Sequence, residues 1–228
     1  MSEEQTALAT RAALAAAAAT ATGHQSVDDA GGWPMADDAL TLLSALVVEL
    51  APAHVVEFGS GRSTVALVQA TARLPAPGAV TALENDPVVR RATRAALAAA
   101  GLLSDRVVVQ SAPLVVRRVA GRHLPVYHLR RRSFASTATP GLVVVDGPPS
   151  MLGGREGSLL QALGLAGVGT LILLDDADRP HETEVLAAAT RTYGAALERL
   201  ACPGFARGLG AFVVTAPLHV RIDPPTGV

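Results

Sequence analysis

Apolar residues fall into two rhythms along this chain. Short runs that are apolar at nearly every position alternate with longer stretches whose apolar residues recur every three or four. The short runs predict strands at 54–58 (HVVEF), 79–84 (AVTALE), 106–110 (RVVVQ), 141–147 (GLVVVDG) and 170–176 (TLILLDD). The longer stretches predict helices. Leu42, Leu43, Leu46, Val47 and Leu50 mark one over 39–50, which Pro52 ends. Others span 62–73, 155–166 and 181–193. One more is signalled by its ends: Asp86 can cap it, Pro87 suits its first turn and Gly101 its close. AALERLA (195–201) and LGAFVVTA (209–216) read as two closing strands that form a hairpin.

Strands apolar on both faces, alternating with helices, predict a parallel sheet covered on both sides. With right-handed crossovers the fold class is α/β, a doubly wound Rossmann-like sheet. It is mostly parallel, with seven strands including an antiparallel C-terminal hairpin strand. Residues 111–140, rich in Arg and Pro, show neither rhythm. Ahead of the sheet, residues 7–22 are Ala-rich and predict a surface helix. Residues 23–38 collect Gly, Asp and Pro and read as a loop. The chain therefore divides into 1–38, an N-terminal helix and a lid-like segment carrying Trp33 and Met35, and 39–228, the ligand-binding domain.

Composition narrows the choice of partner. Half of the sequence is hydrophobic and 17% is charged, enough apolar residues for a full core. The net charge of −1 gives no general attraction to nucleic acid or to an anionic membrane. The lone Cys202 excludes an internal disulfide framework and a Cys-based zinc site. The start carries Glu3 and Glu4, and Arg11 interrupts the Ala run, unlike a secretory signal. No stretch is long and apolar enough for a transmembrane helix. A cytoplasmic enzyme is expected, with a homodimer as the anticipated assembly.

Ligands of doubly wound sheets sit at the carboxyl ends of the strands, so those ends carry the chemistry. The first strand runs into EFGSGRST (57–64). A dinucleotide fingerprint, Gly-x-Gly-x-x-Gly, would place a helix N-terminus against a pyrophosphate. Gly59 and Gly61 fill the first two places, but Thr64 stands at the third, and Glu57 two residues before Gly59 would repel phosphate. A carboxylate there suits an ammonium or a sulfonium. Glu84 closes the second strand, 23 residues past Gly61, where an acid can accept from both ribose hydroxyls. These features together ask for a nucleoside that carries positive charge and no phosphate. S-adenosylmethionine is such a compound.

EFGSGRST, TALEND, VVVDGPPS and LLDDADR resemble class I S-adenosylmethionine-dependent methyltransferases, and most nearly the small bacterial branch called methyltransferase family 24. The likeness spans residues 30–216, through Trp33, the 57–64 turn, Glu84, Val126-Tyr127, Val145 to Pro149, Arg155 and Asp175 to Arg179. Val126 stands where an aromatic is usual, which weakens a substrate-wall role for that stretch. By this resemblance Glu57 would lie near the methionine ammonium, with Gly59 and Gly61 contacting the cofactor through backbone. Glu84 would hold the ribose. Asn85 and Asp86 would line the adenine side, with helix capping the competing use of Asp86. Ser111 and Ala112 would flank adenine. Ser60 and Ser63 would offer donors at a helix start, or simply cap it.

Asp146, Asp175, Asp176 and Asp178 should converge at one edge of the sheet, and clustered carboxylates need a cation. Relatives with this pattern imply Mg2+ held by Asp146, Asp175 and Asp176, lowering the pKa of a substrate hydroxyl. The alternative is that Asp146 orients cofactor or substrate while Arg179 pairs with a neighbouring Asp. Asp146, Asp175 and His181 are the catalytic candidates, His181 because it starts a helix just beyond the acids. Arg130, Arg131 and Arg132, beside Phe134, suggest a solvated loop or a grip on an anionic substrate group. The expected activity is methyl transfer to a small molecule in specialised metabolism, at oxygen. A NAD(P)-dependent oxidoreductase and a non-catalytic cofactor-binding module of the same fold are the competing readings.

Overall fold

A computed structural model describes residues 2–21 and 35–223. Two helices come first, α1 (Glu3–Ala21) and α2 (Asp37–Leu50). Then follow β1 (His54–Phe58), α3 (Arg62–Ala72), β2 (Ala79–Glu84), α4 (Pro87–Ala99) and β3 (Val107–Ser111). A hairpin, β4 (Leu114–Val119) and β5 (Arg122–Tyr127), precedes β6 (Leu142–Val145), α5 (Glu156–Leu165), β7 (Leu171–Asp175) and α6 (Pro180–Tyr193). β8 (Leu197–Leu200) and β9 (Leu209–Val214) close the chain. The main sheet has seven strands in the order β3-β2-β1-β6-β7-β9-β8, and β9 runs antiparallel to both neighbours. The predicted Rossmann-like fold is therefore the observed one, and each predicted strand and helix from 39 to 216 has its counterpart.

The double periodicity follows from the pleat. Successive residues of a strand point to opposite faces. Val55, Leu142, Val144, Leu171 and Leu173 enter one core with α1, α2 and α3. Val56, Val143, Val145, Ile172 and Leu174 enter the other with α5 and α6. Burial on both faces is what makes these strands continuously apolar.

Two segments depart from expectation. The Ala-rich α1 is not a purely surface helix: Leu14, Ala17 and Ala21 join the first core, and the Thr10 hydroxyl donates to the Gly169 carbonyl at 2.8 Å. The 111–140 stretch contains the β4–β5 hairpin, turning on Ala120 and Gly121, both at positive φ (47° and 85°), as a tight primed turn requires. The Gln161 side chain docks this hairpin on α5. Its amide donates to the Tyr127 carbonyl (2.8 Å) and its oxygen accepts from the Tyr127 N–H (2.9 Å), replacing a missing strand partner. This fixes Tyr127 under the sheet edge, with its ring 5.7 Å from that of Phe58. Trp33 and most of the lid-like segment lie outside the described residues; Met35, just after them, is buried in the first core. No helix among the described residues is long and apolar enough to cross a membrane.

Candidate active site

Strand order reverses between β1 and β6, which opens a crevice at their carboxyl ends. Gly59 and Gly147 leave the two strands there. A Cβ on Gly59 would come 3.4 Å from the Gly147 nitrogen, and Gly59 sits at φ 103°. A Cβ on Gly147 would clash with the Tyr127 hydroxyl. Both backbones thus need glycine to approach. A Cβ on Gly61, by contrast, would point into open space, so the backbone above α3 is accessible to a ligand.

Beneath that turn Glu57 is fully buried. The Thr64 hydroxyl donates to its Oε2 at 2.6 Å and accepts from the Gly61 N–H at 3.0 Å. This chain of bonds ties the glycine turn to the strand, and it explains why Thr rather than a third glycine stands at 64. Burial pushes the Glu57 carboxyl up to about 7, against the Ser63 and Thr64 hydroxyls, which lower it. Ser63 is buried beside it rather than open to the crevice.

Glu84, at the end of β2, accepts from the Ser60 hydroxyl (2.9 Å) and the Asp86 N–H (2.8 Å), and burial raises its pKa. The Tyr127 hydroxyl donates to Asn85 Oδ1 at 3.3 Å, so the hairpin orients the residue after Glu84. Asp86 accepts from the N–H groups of Val88 and Val89, which makes it the cap of α4. Ser111 pairs in register with Glu84 and is exposed, while Ala112 is packed in the core. Among the described residues no ion pair reaches Glu57 or Glu84.

The ends of β6 and β7 are built differently. Asp146, Asp175 and Asp176 can bring one oxygen each within 4.8 Å of one another. Asp178 does not join them: it is exposed and faces Gly208. Burial, then mutual repulsion, raises the pKa of Asp146, and burial with the Asp176 charge raises that of Asp175; their carboxyls are placed to share a proton. The cation among them is Arg155. Its Nη2 donates to Asp146 Oδ1 at 3.0 Å and to Asp176 Oδ2 at 2.6 Å, and its side chain is 4% exposed. Arg179 also pairs with Asp176 at 3.0 Å, and Arg207 Nη1 lies 3.8 Å from it. A cavity of 260 Å³ opens here, lined by Asp146, Pro149, Ser150, Met151, Arg155, Asp176 and Arg179.

Other candidates fall outside this arrangement. His181 is exposed, rests against Gly154 and does not line the cavity. His54 bonds Ala138 and Thr81 at the amino end of β1, and Phe134 packs edge-on against its ring. Arg132 lines a hollow with Phe134 and His54 at that end of the sheet, away from the crevice. A larger cavity of 570 Å³ lies between the β7–α6 and β8–β9 loops, but no residue of the glycine turn or the carboxylate cluster lines it.

Solved structures share this arrangement of elements. A methyltransferase from Podospora anserina with S-adenosylhomocysteine bound superposes at a TM-score of 0.58, 18% identical over 89% of this chain and 87% of its own. An O-methyltransferase from Bacillus cereus, also with S-adenosylhomocysteine, gives 0.58 at 17% identity, covering 91% and 90%. The O-methyltransferase TomG from Streptomyces achromogenes, involved in tomaymycin synthesis and bound to S-adenosylmethionine, gives 0.57 at 18%, covering 90% of both chains. The fold is that of the S-adenosylmethionine-dependent methyltransferases. No protein-family model matches the sequence, and no curated protein matches it.

Proposed function

We propose that this protein is an S-adenosylmethionine-dependent O-methyltransferase acting on a small molecule. One observation carries the reading. The β1 and β2 ends carry two buried carboxyls, Glu57 and Glu84, held by hydroxyl and N–H donors and, among the described residues, by no guanidinium. A crevice so furnished favours a cationic nucleoside over a dinucleotide, whose phosphates it would repel. When bound, S-adenosylmethionine supplies a methyl group already activated by its sulfonium.

The chain's own residues do the rest. Gly59 and Gly61 would let the backbone meet the methionine portion, and Glu84 would accept from the ribose hydroxyls beside Asn85 and Ser111, while Ala112, packed in the core, backs that wall. Pro149, Ser150 and Met151 wall the acceptor, and a volume of 260 Å³ suits a small one. Asp146 is the member of the proton-sharing pair that reaches this cavity, its side chain 18% exposed. It takes the acceptor's hydroxyl proton, with Asp175 behind it. The upward shift of both carboxyls makes their ionised forms stronger bases than a free carboxylate. Holding acceptor and methyl group in line supplies much of the acceleration. The acids do not fit a divalent ion, because Arg155 is inserted among them, and no step passes through one.

Calorimetric titration with S-adenosylmethionine, S-adenosylhomocysteine and NAD tests this. Binding of the first two and not the third is expected. Binding of NAD alone would refute the reading, and cofactor binding without turnover on any hydroxyl acceptor would favour a non-catalytic module.

A further inference from the structure

We infer that Arg155 is a built-in cation that takes the place a divalent ion would need among Asp146, Asp175 and Asp176. Its catalytic consequence, methyl transfer without a metal, rests on the methyltransferase reading; its occupancy of the cluster does not.

The spacing of the acids alone would admit an ion. Bonds of about 2.1 Å in octahedral geometry set ligand oxygens roughly 3 to 4.2 Å apart, and the three carboxylates, with one oxygen each within 4.8 Å of the others, need only a small adjustment to match it. The guanidinium removes the vacancy. A single nitrogen, Nη2, lies 3.0 Å from Asp146 and 2.6 Å from Asp176, so one atom bridges two of the three acids. An ion bound through those oxygens would press against that nitrogen, cation against cation. The side chain cannot swing aside cheaply. It is 4% exposed, and its Nη1 lies 3.6 Å from Oε1 of Glu182, itself buried. Leaving would strand carboxylates in the interior. Asp176 is further matched by Arg179 and Arg207. Four acids thus already face three guanidiniums.

An arginine differs from an ion in what it does. It stays protonated and does not exchange. It donates hydrogen bonds but offers no open coordination position to an acceptor oxygen. Arg155 is accordingly a positioning residue: it aims Asp146 at the cavity and leaves the proton to the carboxyls.

The test uses the full chain after chelator treatment. Mn2+ is titrated in and its free signal followed by electron paramagnetic resonance, with S-adenosylhomocysteine binding measured on the same sample. The wild type should take up no stoichiometric Mn2+. Arg155→Met should gain affinity by about tenfold or more, because the stranded carboxylates then lack a cation, and adding Asp176→Asn should abolish the gain. A purely structural role for Arg155 would not create a metal site. Stoichiometric uptake by the wild type, lost in Asp175→Asn, overturns the inference, as does a folded Arg155→Met with no gain. Should Arg155→Met not fold, the wild-type titration decides alone, with Arg155→Gln as the milder variant. Absence of S-adenosylhomocysteine binding by the wild type would count against the methyltransferase reading and leave the Mn2+ result standing.

Discussion

The two halves of the crevice treat buried acids in opposite ways. At the ends of β1 and β2, Glu57 and Glu84 accept from Thr64, Ser60 and a backbone N–H, all neutral. At the ends of β6 and β7, Asp146 and Asp176 accept from Arg155, with Arg179 also on Asp176. Neutral donors cancel no charge, so Glu84 still attracts a cation, and Glu57, which holds its proton up to about 7, ionises more readily beside one. In the second half the cation is already supplied by the chain. Carboxylate clustering alone therefore does not tell a ligand site from an internal ion network. The donors do.

Four substitutions can break or sharpen this contrast. The largest effect should come from Asp175→Asn, which removes the partner that shares a proton with Asp146. Turnover should fall by about 10²-fold or more, while S-adenosylhomocysteine affinity changes far less; equal losses in both would move Asp175 to the cofactor side. Next is Glu57→Gln, read through pH. In the folded protein Glu57 holds its proton up to about 7, against 4.5 in the unfolded chain. Between those values the native state binds more protons, so stability falls as pH rises through the window and is level above it. The full change is roughly 3 kcal/mol at most. Denaturant melts of the apo protein from pH 4.5 to 8 should show Glu57→Gln losing less stability than wild type with rising pH; parallel curves would mean that Glu57 ionises freely. Glu84→Ala should weaken S-adenosylhomocysteine binding by about ten- to a hundredfold, the worth of charge-assisted hydrogen bonds to the ribose, and calorimetry showing unchanged affinity would remove Glu84 from the ribose. His181→Ala should change kcat least, within about twofold, since an exposed side chain outside the cavity touches no reacting group; a collapse of kcat would restore His181 as a base.

How far this was readable in the sequence depended on how local each signal is. The strands of the main sheet were legible because burial on both faces writes an unbroken apolar run, as in LILLD of β7. The β4–β5 hairpin was not. Arg117, Arg118, Arg122 and His123 interrupt it, Pro125 argues against a strand, and its turn uses Ala120 where Asn or Asp would announce a positive φ. The glycine turn and Glu84 lie at fixed spacings and were legible. The need of the acid cluster for a cation was also legible, and the pairing of Arg179 with Asp176 joins residues only three apart. That Arg155 would be the central cation was not, because its contact with Asp176 joins residues 21 apart through the tertiary fold. Thr64 was read as a missing glycine. Its bond to Glu57 shows a different device for holding the same turn.

The central claim is that the neutral-donor half of this crevice holds a cationic adenosine compound. A crystal structure with S-adenosylhomocysteine bound tests it most directly. The account predicts ribose hydroxyls on Glu84 and the amino-acid portion over Gly59 to Gly61, with the sulfur facing the Asp146 cavity. Ribose placed away from Glu84, or the ligand lodged among Asp146, Arg155 and Asp176, would contradict it.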